Sequence, residues 1–409
     1  MVKQSASSAA GPLEDIRVLD ASTYLAGPYG ATLLGDLGAD VVKIEPPGGE
    51  DSRHLGPERG GERAPFVGLN RNKRGMVLNL EVPAGRAVFS RLAATADVVV
   101  TNIREPALSR LGLGYEQVHE HRADVIWVGV TAFGPDGPYA GRPGIDFMAQ
   151  GFAGLVSLNG EPGRPAVRVS VPLVDVMTSL LVASGVLAAL HERTKSGLGQ
   201  RIDVSLLDAL VHAQSTGLGG LFLTGQSLPR VGNRSSYFAP SGVYTCADGK
   251  SICITCPTDK FFRNLCAALD TDWADQPNFR TGELRLQHND EIDREIARRV
   301  EDVPLDELLA KLTAADVMAA PMNELTDVVN DPQIRHNQMI VTTQHATLGA
   351  LDVTGVPIHL ERTPGSVRLS PPVLGQHTEE ILTELGYSPE EVRELLNDGT
   401  VAAAERGSS

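Results

Sequence analysis

Along the first half of the chain, apolar positions gather in short continuous runs. IRVLD (16–20) and VVKIE (41–45) flank ASTYLAGPYGATLLGDLGAD, and together they have about the length of a strand–helix–strand unit. MVLNL (76–80), ADVVVTN (96–102) and DVIWVGVT (124–131) continue the series, with helical segments between them, one through Arg86–Ala96. Runs without polar alternation suit strands buried on both faces, so the pattern predicts an α/β fold with a parallel sheet between two layers of helices. The longest apolar stretch, Val171 to Leu190, runs into His191-Glu192-Arg193 and a glycine stop. Asp175, Thr178 and Ser179 interrupt it, which predicts a buried helix rather than a membrane span. A strand, QRIDVSL, and a helix, LDALVHAQ, follow.

Near residue 220 the character changes. TGQSLPRVGNRSSYFAPSG is polar and rich in turn formers and reads as a linker or mobile loop at a domain boundary. GVYTCADGKSICITC predicts a hairpin turning at Asp248-Gly249, and charged helical segments run from Asp259 to about Ala315. Strand-like LDVTGVPIHL precedes two amphipathic helices in PPVLGQHTEEILTELGYSPEEVRELLNDG, the second opened by Ser388-Pro389. No internal repeat is present.

The 409 residues allow two or three domains, and 42% apolar with 21% charged residues describes a soluble globular chain. A formal charge of −15 argues against nucleic acid and anionic lipid surfaces as partners. The start, MVKQSASSAAGPLED, has no apolar core and reads as a frayed lead rather than a signal peptide. Only four cysteines occur, all between Cys246 and Cys266, so the expected location is a reducing cytoplasm.

Several chemistries can be weighed directly. Gly27, Gly30, Gly35 and Gly38 after the first strand lack G-x-G-x-x-G spacing, although Glu45 could stand as the ribose-binding acid of a dinucleotide site. Walker, G-x-S-x-G and H-E-x-x-H patterns are absent. Cys253-Ile254-Thr255-Cys256 lies too far from Cys246 and Cys266 for zinc-ribbon spacing and reads as ordinary buried thiols, so no metal is expected. His119 and His121 sit in a polar stretch and read as solvated surface. Asp175 is the exception, the one ionisable side chain between Val171 and Leu190. Burying it is costly and would raise its pKa. Its place near a helix start leaves two readings open, a capping aspartate or a nucleophile held by free backbone N–H groups.

Longer segments resolve that choice. AGPYGATLLGDLGADVVKIEPPGGEDSR, LNRNKRGMVLNL, ADVVVTNIREPALSRLGLGY, FGPDGPYAGRPGIDFMAQGFAGLVSLNG and HERTKSGLGQRIDVSLLDA resemble the family III (CaiB/BaiF-type) CoA-transferases over about residues 11–400, in the same order. The resemblance implies a Rossmann-like large domain built from both chain ends, 11–220 and 331–409. It implies a linker and smaller α+β domain at 221–330, and an interlocked homodimer, with a heteromer of paralogues open. Asp175 falls on the family's catalytic aspartate, which would carry CoA as a thioester through mixed anhydrides. Asp146 and Gln150 fall beside the substrate. Tyr24, Leu25, Ala26, Leu78, Asn102, Ile103, Arg104 and Arg110 fall on contacts to coenzyme A, which with its acyl thioester is the substrate; no metal is implied. The chain departs from the family where Pro46-Pro47, Glu81 and Pro143 replace basic positions, and where GNRSSYF (232–238) replaces a glycine-rich flap. The flap difference favours short dicarboxylates such as succinate or mesaconate as acids over oxalate. Two alternatives are an acyl-CoA racemase of the same fold, disfavoured because Ile145 stands where the racemases hold a histidine, and a non-catalytic acyl-CoA-binding subunit.

Overall fold

The apolar runs do pair side by side. In the computed structural model, which describes residues 11–404, the sheet order is Lys73–Leu78, Asp40–Glu45, Arg17–Ala21, Val98–Thr101, Ile126–Thr131 and Arg201–Ser205, all parallel. Val401–Ala402 adds an antiparallel seventh strand beside Lys73–Leu78. The N-terminal lead, residues 1–10, lies outside the described residues. The chain builds outward from Arg17–Ala21 in one direction, then returns to place Val98–Thr101 on its other side. Between these two strands the winding reverses, and in open α/β sheets ligands bind at the carboxyl ends of the strands flanking such a reversal.

One face of the sheet is covered by Pro83–Thr95 and by the C-terminal helices Thr378–Glu384 and Pro389–Asn397. Phe89, Leu92, Ile381 and Val392 pack there with Leu19, Met76, Val99 and Trp127. Ser388 opens the last helix with a capping box, its hydroxyl accepting from the Glu391 N–H while the Glu391 carboxylate accepts from the Ser388 N–H. Elsewhere the Ala26–Asp36 helix packs against Leu173–Ser196. Gly30 permits that approach, and Gly27 lets the same helix close on the turn after the first strand. A Cβ at Gly30 would lie 2.6 Å from Val182 Cγ1, and one at Gly27 2.5 Å from Ser22 Oγ. Leu173–Ser196 is long and apolar enough to cross a membrane, yet Val174, Thr178, Val182 and Val186 are buried in this unit. Gly197 stops it in the left-handed conformation, φ 74°.

The chain forms two compact units. The first contains the sheet and comprises the residues up to Ala153, Ser170–Ala213 and the chain from Pro332 on. The second comprises Gly154–Val169 and Gln214–Asp331, somewhat more than the expected 221–330. Its hairpin, Ser241–Thr245 with Ser251–Thr255, turns through Gly249 at φ 77° and is joined by Met318–Pro321. Phe262, Trp273, Ile292 and Leu308 fill its core. The unit also holds a helix that the sequence pattern did not predict, Ser215–Thr224, formed in spite of Gly217, Gly219 and Gly220.

Candidate active site

Asp175 is the third residue of the Leu173–Ser196 helix, and its side chain caps nothing. The capping reading is therefore set aside. It is 7% exposed, and its carboxyl is pushed up to about 7, first by burial and then by the charge of Asp146. The N–H groups expected to hold it are taken by another carboxylate. Asp146 Oδ2 accepts from Val174 N at 2.7 Å and from Asp175 N at 3.3 Å, so Asp146 occupies the positive end of the helix. Its other oxygen, Oδ1, accepts from Gln150 Nε2 at 2.6 Å, one turn along the Asp146–Phe152 helix. Gln150 is fully buried. Ile145, Phe147, Met148 and Leu173, which flank the two carboxylates in sequence, are apolar and each at least 37% exposed.

Three polar groups, Asp175, Thr178 and Ser179, share one helix face at i, i+3 and i+4. Thr178 Oγ1 donates to Val174 O within its own helix. Ser179 Oγ lies 2.8 Å from both Asp175 O and Ala26 O, which ties the Asp175 turn to the first turn of the Ala26–Asp36 helix. Sequence reasoning noticed Ser179 only as an interruption of an apolar run. The i+4 spacing was the available signal.

Of the predicted turn residues, Ala26 is joined to the Asp175 turn by that hydrogen bond, and Tyr24 and Leu25 precede it in the chain. Tyr24 ends the turn after the first strand in the left-handed region, φ 71°, and Leu25 caps the following helix. Across the reversal point, Asn102 clamps the turn, its Oδ1 accepting from Thr23 N at 2.9 Å and its Nδ2 donating to Thr23 O at 2.8 Å. Both ends of that amide are used by the fold, so Asn102 shapes the crevice with its side chain. Ile103 packs against the core and its N–H is held by Thr101 Oγ1. Arg104 and Arg110 are exposed cations at the start and in the last turn of Glu105–Leu111. Leu78 differs from expectation. Its side chain is 1% exposed within the core, two strands from Arg17–Ala21, and only its backbone can meet a ligand.

Glu45 has no capacity for a ribose. It is fully buried and held bidentately by Arg53 at 2.6 and 2.9 Å. Among the described residues no group of three His, Cys, Asp or Glu side chains could hold a metal ion. The four cysteines are free, and burial pushes the Cys256 thiol up to about 12. In the second unit the GNRSSYF segment is pinned, with Arg234 pairing Asp293 at 2.7 Å and Asp290 at 2.5 Å.

The chain matches the profile of CoA-transferase family III over residues 13–378. It is 33% identical over 377 residues to succinyl-CoA–D-citramalate CoA-transferase of Chloroflexus aurantiacus, covering 91% of this chain and 94% of that protein. It is 35% identical over 391 residues to the beta subunit of succinyl-CoA–L-malate CoA-transferase from the same organism, covering 94% and 96%. A solved CaiB/BaiF family protein from Brucella suis superposes with a TM-score of 0.84 at 32% identity, covering 92% of this chain and 99% of that one. A buried aspartate beside the reversal point of a parallel sheet, and a match from Leu13 to Thr378, give one conclusion: this chain belongs to the family III CoA-transferases, enzymes whose substrates are CoA thioesters.

Proposed function

We propose that this enzyme moves CoA from a short dicarboxylyl-CoA donor to a second short dicarboxylic acid, with Asp175 as the carrier. The observation that carries the reading is the Asp175 carboxyl itself, buried and lifted to about 7 by burial and by the charge of Asp146. Withdrawal from water makes a carboxylate a stronger nucleophile and favours its conversion to a neutral acyl derivative. A carboxylate oxygen of Asp175 attacks the thioester carbonyl, the C–S bond breaks, and CoA leaves as thiolate from a mixed anhydride. The thiolate then attacks the Asp175 acyl carbon, expels the donor acid as carboxylate, and leaves an aspartyl-CoA thioester. An acceptor carboxylate reverses the two steps. The thioester energy is conserved throughout.

Asp146 is a positioning residue in this scheme. Gln150 fixes its rotamer, it fills the helix terminus that would otherwise stabilise the Asp175 anion, and its charge raises the Asp175 carboxyl. Tyr24, Leu25 and Ala26 line the CoA crevice, and Arg104 and Arg110 suit its phosphates. Ile145 offers no base for taking an α-proton, which speaks against racemisation.

Dicarboxylates are favoured because the relatives bear the names of citramalate and malate transferases. An intertwined homodimer fits Leu173, Leu180 and Leu187, spaced by seven and left exposed along one helix. The relative named as a beta subunit makes a pairing of unlike chains the second arrangement to examine. Four unpaired cysteines agree with a reducing compartment. The test is an acceptor screen with succinyl-CoA as donor. D-citramalate, L-malate or a similar short diacid is expected to form its CoA thioester at least about tenfold faster than oxalate or an aromatic acid. A preference for oxalate would overturn the substrate class.

A further inference from the structure

Beneath the Tyr24 turn lies a cluster of charge that the transfer chemistry does not use. Asp20, Lys43, Lys73 and Glu50 are each at most 1% exposed. Lys73 Nζ donates to Asp20 Oδ2 at 2.8 Å, to Asn70 Oδ1 at 2.8 Å and to Pro28 O at 2.7 Å in the first turn of the Ala26–Asp36 helix. Lys43 Nζ donates to Ser22 O and lies 3.7 Å from Asp20 Oδ2 and 3.9 Å from Glu50 Oε1. Glu50 completes the chain of contacts. Its Oε1 accepts from Ser52 Oγ at 2.7 Å, and its Oε2 accepts from the Tyr24 N–H at 2.7 Å.

Buried ions are a poor way to gain stability, because apolar side chains of similar volume serve as well or better. Such a network is explained if it fixes a conformation that local preference opposes. Tyr24 has that conformation. A tyrosine at φ 71° is in the left-handed region, which residues other than glycine adopt only when their surroundings impose it. The backbone hydrogen bonds of residues 22–24 lead either to this cluster or to Asn102 across the reversal point.

We propose that Glu50 is a positioning residue for CoA binding: anchored by Lys43 and Ser52, its carboxylate holds the Tyr24 N–H and so keeps the turn in the left-handed shape that the thioester meets. The inference rests on the assignment of the Tyr24–Ala26 turn to the CoA site. Glu50 touches neither thioester nor Asp175 in this scheme. Its removal acts through the conformation of Tyr24.

The test is a double-mutant cycle on steady-state kinetics with succinyl-CoA. Glu50→Ala is expected to raise the KM for succinyl-CoA about tenfold with kcat changed less than about threefold. Glu50→Gln, which keeps an acceptor oxygen, should stay within about threefold of the unmodified enzyme. In a Tyr24→Gly background, where the left-handed shape needs no enforcement, Glu50→Ala should alter KM by less than about threefold. Equal factors in the two backgrounds, or a Gln variant as impaired as the Ala variant, would overturn the proposal while leaving the transferase reading intact. Failure of the unmodified enzyme to bind succinyl-CoA saturably would overturn both. If Glu50→Ala does not fold, Ser52→Ala removes one anchor of the same carboxylate. Its KM effect should vanish in the Tyr24→Gly background, and persistence there would contradict the proposal.

Discussion

Two of the places where this enzyme buries ionisable groups hold them in opposite ways. Beneath the Tyr24 turn, Lys43 and Lys73 face Asp20 and Glu50, so the charges balance, and the two lysines hold the Asp20 carboxyl below its ordinary range even against complete burial. Around Asp175 two carboxylates stand together, and burial with like charge lifts one of them to about 7. In the proposed scheme the balanced cluster is a support, and the unbalanced pair supplies a carboxylate that gains by becoming neutral. Stability and chemistry are thus assigned to different buried acids of the same unit, and the two should respond oppositely to mutation.

The largest separation is expected in stability. Lys73→Met leaves Asp20 buried with its shortest ion pair gone, and should lower the unfolding free energy by about 3 kcal/mol or more in urea titration. Asp175→Asn should act in the other direction. The Asp175 carboxyl binds its proton more tightly in the folded chain than its ordinary value of 3.8 allows. Its burial therefore favours the native state below about pH 4, and that contribution is lost as pH rises through about 7. Removing the charge should raise stability by about 2 kcal/mol at pH 8 and by little at pH 4. Thermal melts at the two pH values decide this, and a variant less stable at pH 8 would break the contrast.

A smaller effect sharpens it. Acylation requires ionised Asp175, so kcat/KM for the donor should rise with pH through about 7. Asp146→Asn keeps an oxygen for the helix N–H groups but removes the like charge. Because burial is the larger cause, the midpoint should fall by under about one pH unit. An unmoved midpoint would deny that Asp146 acts through Asp175.

How far the sequence reveals this arrangement follows from the range of each interaction. The strands are legible because burial on both faces leaves continuous apolar runs, as in Val98–Thr101. Asp175 is legible because it is the one ionisable side chain between Val171 and Leu190. The group that takes the N–H groups at its helix start, Asp146, lies 29 residues upstream, and no local pattern reports such a contact. The capping reading failed for that reason. Glu50 sits among Pro46, Pro47, Gly48 and Gly49, a composition that reads as a solvated turn, and it is its contacts with Lys43, Ser52 and the Tyr24 N–H that show it to be an interior residue. Lys43 and Lys73 likewise look like edge charges within strands, yet both are fully buried. Leu78 shows the converse, since its position in a matching segment says nothing about which way its side chain packs.

The central claim is that Asp175 becomes the temporary acyl partner of CoA, and intact-mass spectrometry of the enzyme mixed with succinyl-CoA tests it directly. The account expects a fraction of the protein to gain the mass of CoA, with peptide mapping placing it on Asp175. The Asp175→Ala variant should show no such gain and lose transfer by at least about a thousandfold. An adduct that never forms during turnover, or an alanine variant that transfers CoA at the unmodified rate, would contradict it.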